Sequence, residues 1–267
     1  MMLNGAQLAV IKKDLRETMA SKSAKAAMLV LPIMMAAFLP GVFTALVYLA
    51  PGEMSMDDFG GMLAMMDIDA TITDAVRMGY YFMMNYMMPM FFVLIPVMTA
   101  SIVSGSSIVG ERERRTLATL LYTPLTVGQL FAAKVLGALA AALFVTLVAF
   151  GCYLAVAIVG SVLVYGGFVL NVGIWLTMLL VVAPSVSMVG ITLMVLASAR
   201  AHTFQEAQQY SALLMVPTML LMMLPQITGL FLFNWPQLLA LGMAYLVIGL
   251  VLLKLSSARF TAEKLLK

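Results

Sequence analysis

Two long stretches of this chain contain no charged side chain. No Asp, Glu, Lys or Arg occurs in residues 135–199, and none occurs in residues 207–253. A helix needs about 20 apolar residues to cross the hydrocarbon core of a bilayer, so each stretch is long enough for two spans. Soluble domains scatter charges over their surface, whereas only 10% of this chain is charged and 63% is hydrophobic. The sequence therefore predicts an all-α integral membrane protein.

Apolar runs divide the chain into six predicted transmembrane helices. They cover residues 26–50, 79–108, 132–161, 170–199, 208–225 and 236–254. The first run is longer than the apolar region of a cleavable signal peptide, and we interpret it as an uncleaved first span. Residues 26–254 are thus predicted to form one six-span transmembrane domain, followed by a cytoplasmic tail over residues 255–267.

The basic residues predict the orientation of these spans. Six spans place both termini on one side, and all Lys and Arg residues except Arg77 fall in the segments on that side. Because cytoplasmic loops carry an excess of Lys and Arg, we expect both termini in the cytoplasm and a multi-pass protein in the plasma membrane of a prokaryote. The same bias accounts for the net charge of +3 without a nucleic-acid partner.

Two predicted external segments have distinctive compositions. The connection over residues 51–78 contains six carboxylates against the single base Arg77. We interpret it as a solvated loop, with a cation-collecting site as the alternative. Residues 225–236 are apolar and aromatic, which predicts a segment dipping into the membrane interface as a re-entrant turn or a flat helix, with Trp235 at headgroup depth.

Residues 1–25 are predicted to form an amphipathic cytoplasmic helix before the first span. Apolar side chains recur there every three or four residues: Leu8, Ile11, Leu15 and Met19. Basic side chains occupy other positions around the helix: Lys12, Lys13 and Arg16. This pattern predicts a helix that lies along the inner membrane surface, with its bases facing anionic lipid or a partner.

The connection between the second and third predicted spans has the most specific pattern. It reads GERERRTLATLLYTPLTVGQLFAAKVL from Gly110 to Leu136. A charged run opens a short helix whose leucines share one side and which Pro124 ends. Thr126 and Gln129 then form a capping box at the start of the third span. A small amphipathic helix between two spans suits transmission of force from a soluble partner, and a solvated linker is the alternative.

This connection resembles the signature of the permeases of type-2 ATP-binding-cassette transporters. Its matching residues are Gly110, Glu111, Arg112, Glu113, Thr116, Leu117, Thr123, Pro124, Leu125, Thr126, Gly128 and Lys134. Three residues depart from the usual Gly, Glu and Glu of the family and alter the charges presented: Arg115, Ala118 and Gln129. The segment over residues 11–32 also resembles the opening of that family.

The resemblance implies a coupling helix over residues 110–125, seated in a cleft of an ATPase subunit, with residues 5–24 as a connecting helix beside it. The implied ATPase-coupling residues are Gly110, Glu111, Arg112, Glu113, Arg114, Arg115, Thr116, Leu117, Leu120, Leu121 and Pro124. A second permease copy, identical or related, would complete the translocation pathway, and members of the family are mostly exporters.

The sequence contains no G-x-x-x-x-G-K-[ST] loop that would cradle nucleotide phosphates. We therefore expect no catalysis, cofactor or metal site in this chain, and ATP and Mg²⁺ on a separate ATPase subunit. Cys152 is the only cysteine and lies in an apolar run, which favours a packing role. The substrate stays open, since apolar, Met-rich spans are compatible with lipids, peptides or hydrophobic drugs.

Three other protein classes are the alternatives. An ion-coupled secondary transporter usually needs ionisable groups within its spans, and the predicted span centres lack them. An intramembrane protease would use Ser106 or Ser107 as nucleophile and His202 as base, but the only histidine falls in a cytoplasmic connection. A purely structural membrane subunit is the third class, and the specific pattern from Gly110 to Leu136 argues against it.

Overall fold

The structure is a computed structural model. It describes residues 4–50, 74–113, 125–198, 201, 203–210, 212–213, 216, 220 and 235–259. We label the N-terminal helix Gly5–Ala20 as α1. Five further helices are long and apolar enough to cross a membrane: α2 (Ala26–Leu49), α3 (Ala75–Glu111), α4 (Val127–Tyr165), α5 (Val172–Ser198) and α6 (Trp235–Ser256). Within the described ranges all regular secondary structure is helical.

These helices confirm the predicted all-helical membrane fold with five of its six spans. The remaining span, predicted over residues 208–225, lies mostly outside the described residues, as do the acidic connection before Asp74, most of the 225–236 segment and the tail beyond residue 259. A short helix over residues 204–210 precedes that region.

Two of the spans begin at side-chain caps, which lie earlier in the sequence than the apolar runs indicate. Asp74 accepts a hydrogen bond from the Val76 N–H at 3.1 Å, so α3 begins at Ala75 rather than at residue 79. The predicted capping box is confirmed at α4, where Gln129 N–H donates to Thr126 Oγ1 at 3.3 Å and Thr126 N–H donates to Gln129 Oε1 at 3.0 Å. With 37 and 39 residues, both helices are longer than the roughly 20 residues that a bilayer core requires.

Widened π-helical turns accommodate four of the prolines. They cover Ala26–Val30, Met34–Phe38, Met83–Met87 and Met178–Val182. Each ends two residues before a proline: Pro32, Pro40, Pro89 and Pro184. A proline lacks an N–H and its ring crowds the carbonyl four residues earlier, and a turn with one extra residue relieves both problems. At these four positions the proline thus acts through local widening of the helix.

Helices α3 and α5 form the centre of the bundle. The most apolar stretches of α3 and α5 are 72% and 67% buried, against 22% for α2 and for α6. Helix α3 packs against both α4 and α5, and α6 packs against α5. Phe92, Tyr153 and Trp175 meet where α3, α4 and α5 converge, with a ring separation of 4.5 Å between Tyr153 and Trp175. This aromatic cluster fixes the spacing of the three helices.

The outer helices expose large apolar side chains along their length. Phe38 and Leu46 on α2 are 60% and 61% exposed, and Phe144 on α4 is 65% exposed. Such a surface would be an aggregation hazard in water, but it is the expected surface in contact with lipid. The molecule therefore has a lipid-facing rim around a closely packed α3–α5 centre.

Gly160 allows α2, α3 and α4 to approach one another at the end of the bundle far from α1. A Cβ atom added there would overlap the Tyr80 hydroxyl and lie 2.7 Å from the Thr44 Cγ2 atom. Tyr80 is fully buried and Thr44 nearly so, and hydrogen bonding holds both: Thr44 donates to the Pro40 carbonyl at 2.7 Å, and the two hydroxyl oxygens are 3.4 Å apart. A glycine is therefore required where α4 crosses this pair.

We expect Gly160→Ala to destabilise the protein by about 1–3 kcal/mol, since overpacking forces neighbours out of their rotamers. The measurement is thermal unfolding of the purified protein in detergent. Gly151→Ala on the same helix is the matched control, because an added Cβ there meets nothing within 4 Å. Equal unfolding temperatures for the two variants would contradict the close approach described at Gly160.

Candidate functional site

Helix α1 packs a mainly polar row of side chains against the bundle, with part of its apolar stripe at the edge of the contact. Its buried residues are Gln7, Val10, Asp14 and Thr18, and they face α3 and α4. Ile11 and Leu15 of the predicted stripe are half-buried and pack against the apolar core, whereas Leu8 and Met19 are 58% and 39% exposed. The two ends of the stripe thus stay open to a membrane surface.

The polar side of α1 packs there because Lys134 lies beneath it. The Lys134 side chain, in the second turn of α4, is only 2% exposed. Its Nζ donates to the Ser107 carbonyl and Ser107 Oγ at 2.8 Å each and to Glu111 Oε2 at 2.7 Å, and it lies 3.4 Å from Asp14 Oδ2. Three close acceptors match the three N–H bonds of an ammonium group.

Two buried carboxylates surround this ammonium group. Asp14 on α1 accepts a 2.5 Å hydrogen bond from the Ser107 hydroxyl, and its side chain is 5% exposed. Glu111 at the end of α3 is 1% exposed and receives a second, 2.6 Å hydrogen bond from Lys13. Two lysines and two carboxylates thus balance in formal charge, which a buried ionic group requires. We call Lys13, Asp14, Ser107, Glu111 and Lys134 the buried cluster.

Neutral hydrogen bonds extend the same contact on either side of the cluster. The hydroxyl oxygens of Thr18 on α1 and Ser106 on α3 are 2.6 Å apart, and Gln7 donates to the Gln129 carbonyl at 3.3 Å. Gln129 belongs to the capping box that starts α4. Helix α1 is therefore tied to α3 and to the first turns of α4 along three of its turns.

Lys13 is the accessible edge of the cluster, with 38% of its side chain exposed. Burial lowers the pKa of Lys13, but the hydrogen bond and charge of Glu111, helped by Asp14 and Glu17, outweigh this effect and raise the pKa above its ordinary 10.5. A raised pKa means that the contribution of Lys13 to stability is complete below pH 10.5 and is lost only as the pH rises further. Lys13 is consequently charged at neutral pH and pairs there with Glu111.

The structure describes only the start of the predicted coupling segment. Gly110 and Glu111 form the end of α3, and helical backbone continues for two more residues to Glu113. The side chains of Arg112 and Glu113 lie outside the described part of the chain. The remaining predicted coupling residues also lie outside it: Arg114, Arg115, Thr116, Leu117, Leu120, Leu121 and Pro124. Their contact with an ATPase stays a prediction, whereas Glu111 is placed inside the chain's own buried cluster.

The contact between Ser107 and Lys134 invites comparison with a serine–lysine nucleophile pair. Lys134, however, donates to three oxygens, and Ser107 donates its own proton to Asp14. A general base needs a free lone pair to take the serine proton, and this geometry gives the lysine none. His202, the other proposed base, lies outside the described residues. Among the described residues, no group of His, Cys, Asp and Glu could hold a metal ion.

Sequence reasoning did not single out Asp14, Thr18 or Ser107 as partners of Lys134. One signal was available, because Lys134 falls inside the third predicted apolar run and an ionisable residue in a span requires a partner. The identity of that partner depends on how α1 folds back over the bundle, which no local pattern encodes.

Comparison with known proteins covers most of the chain. A family model described as "ABC-2 family transporter protein" matches residues 8–243, a range that includes the whole buried cluster and α2 to α5. No curated protein and no solved structure matches the chain.

We expect Lys134→Met to destabilise the protein by roughly 3–5 kcal/mol, because it leaves Asp14 and Glu111 buried without their shared cation. Thermal unfolding in detergent measures the loss. Lys12→Met is the matched control, since Lys12 is exposed on the outer side of α1. If both variants unfold at the temperature of the native protein, the cluster does not hold α1 in place.

Proposed function

The chain belongs to the ABC-2 transporter family, and from that premise we propose that it pairs with a second permease copy to form the pathway of an ATP-driven exporter. A separate ATPase subunit supplies the energy. The observation that carries this proposal is the family match over residues 8–243, which includes the pattern beginning at Gly110. Five long apolar helices supply the membrane-spanning framework that such a subunit needs.

The buried cluster explains how force would enter this framework. The connection over residues 114–124 leaves α3 two residues after Glu111 and leads into α4, which carries Lys134 two turns further on. The 2.7 Å ion pair between Glu111 and Lys134 ties the two ends of this connection together. A partner that moves the connection would therefore displace α3 and α4 as a pair, rather than spreading them apart.

Helix α1 would move with that pair. Asp14 and Lys13 join it to both sides of the connection, through Ser107, Lys134 and Glu111. Its outer side carries exposed Lys12 and Arg16 beside the apolar stripe. This arrangement suits a helix that slides along a membrane surface while transmitting movement from a soluble subunit to the spans.

The positive-inside bias supports placing the α1 end of the bundle in the cytoplasm. Lys12, Lys13 and Arg16 lie at that end, as does the start of the Arg112–Arg115 charge run. Arg77, at the other end, is paired with Asp74 at 3.9 Å. A cytoplasmic location for the α1 end gives an ATPase direct access to residues 110–125.

An ion-coupled transporter would need a carboxylate that can release its partner and bind the coupling ion. In the buried cluster both Asp14 and Glu111 are already compensated by lysines. The charges lie at the end of α3 and the beginning of α4 rather than at the middle of the spans. This placement favours a structural joint between helices over an ion-binding site.

The proposal predicts that an ATP-hydrolysing subunit of roughly 25–35 kDa, the size of a single domain, co-purifies with the full-length protein. Reversing two charges of the coupling segment, by Arg112→Glu with Glu113→Arg, should release that subunit, because the net charge is kept while its pattern is inverted. Recovered ATP hydrolysis per mole of permease is the measurement.

Arg77→Glu is the control, since it reverses an exposed charge at the opposite end of the bundle. It should retain the ATPase at the native level. Equal recovery of ATPase by the coupling variant and by the native protein would refute docking at residues 112–113. Transport activity without any associated ATPase would refute the proposed function and favour an ion-coupled carrier.

A further inference from the structure

A groove runs between α2 and α4 near the end of the bundle opposite α1. Its volume is about 560 Å³, with Gly41, Ala45 and Tyr48 along one wall and Ala155 and Val159 along the other. We call it the α2–α4 groove. It lies outside the site described above, because the buried cluster occupies the other end of α4.

The lining of the groove is almost entirely apolar. Thr44 on its floor donates to the Pro40 carbonyl at 2.7 Å, and its hydroxyl lies 3.4 Å from the hydroxyl of the fully buried Tyr80. Apart from Tyr48 at one end, the other lining side chains are small or aliphatic. A polar ligand would therefore leave most of its hydrogen-bonding groups unpaired there, whereas a hydrocarbon chain has none to satisfy.

The outer edges of the groove belong to the lipid-facing surface. Leu46 on α2 is 61% exposed, and Val159 and Leu163 on α4 are 58% and 51% exposed. The groove is therefore continuous with the surface that the bilayer covers, and its opening faces acyl chains rather than water. Tyr48 and Leu49, both exposed, lie where α2 ends, which is the depth at which tyrosines meet lipid headgroups.

The length of the groove suits an extended hydrocarbon chain. From Gly41 to Leu49 the groove follows α2 for about 12 Å, close to half of the roughly 30 Å hydrocarbon core and so close to the depth of one leaflet. An acyl chain that enters from that leaflet can lie along this whole length in contact with apolar side chains.

We propose that the α2–α4 groove binds an acyl chain of a lipid from the leaflet at the end of the bundle opposite α1. The headgroup lies beside Tyr48, and the chain runs along Ala45 and Ala155 toward Gly41. The bound chain fills the space between α2 and α4, and so supports a helix pair that is otherwise mostly exposed. This inference goes beyond the proposed function and holds whether or not an ATPase drives the protein.

The test is photolabelling of the full-length protein in nanodiscs with a phosphatidylcholine that carries a diazirine on its acyl chain. Mass spectrometry of the digested protein locates the label. We expect label concentrated on residues 41–49 and 155–163. Ala45→Trp fills the groove from the α2 wall and Ala155→Trp from the α4 wall, and each should remove most of the label from the opposite wall.

Leu147→Trp is the matched control, because Leu147 is 57% exposed on α4 but does not line the groove. It should leave the label unchanged, and all three variants should unfold at the native temperature. Label spread equally over other exposed residues, such as Leu250 on α6, or label unaffected by both groove-filling variants, would overturn the proposal. Disulfide-linked dimers of Ala45→Cys in a Cys152→Ser background would also overturn it, by showing a second copy at the groove.

Discussion

Lys134 is an ammonium group buried at the end of a helical bundle, and the arrangement of α1, α3 and α4 depends on it. Desolvating such a group costs several kcal/mol even after the protein relaxes. Glu111, Ser107 and Asp14 offset this cost, each from a helix that must be in its correct place. The main effect of the buried ammonium group is therefore to favour one arrangement of the three helices. Its net contribution to the free energy of folding is smaller, because the desolvation cost offsets the pairing. Because Asp14 has to face Lys134, the same pairing determines which side of α1 packs against α3 and α4.

The same rule, that polar groups are satisfied within the protein, applies along the spans. In hydrocarbon no water is available to pair with a freed carbonyl. Tyr153 donates to the Met84 carbonyl at 2.8 Å within the widened turn before Pro89, and Asn85 donates to the Val169 carbonyl at 2.9 Å. Pro89 thus loosens α3 at a point where a neighbouring side chain can take up the released carbonyl. Exposed large apolar side chains lie mainly on α2, α4 and α6, and also at Leu176 and Leu180 in the first half of α5.

The sequence predicted those parts of the fold that depend on local or solvent constraints. Five spans follow from the thickness of the bilayer, and the capping box at Thr126 follows from a four-residue pattern. The buried cluster could not be predicted in the same way, because its contacts join residues 93 and 120 positions apart. The helical pattern of α1 was recognisable, but its most deeply buried row centres on Asp14 beside Lys134, and only Ile11 and Leu15 of the predicted stripe pack at the edge of that contact. The family resemblance pointed to residues 110–125, and the structure adds that Glu111 within them pairs with α1 and α4.

The central claim is that α1, α3 and α4 act as one unit through the buried cluster. Thr18 and Ser106, whose hydroxyl oxygens are 2.6 Å apart, offer a direct test by replacement of both with cysteine in a Cys152→Ser background. Oxidation should form a disulfide between α1 and α3 without changing ATP hydrolysis by the complex with the proposed ATPase subunit. Failure of the disulfide to form, or loss of hydrolysis that a reducing agent restores, would show that α1 separates from α3 during the cycle and would contradict the account.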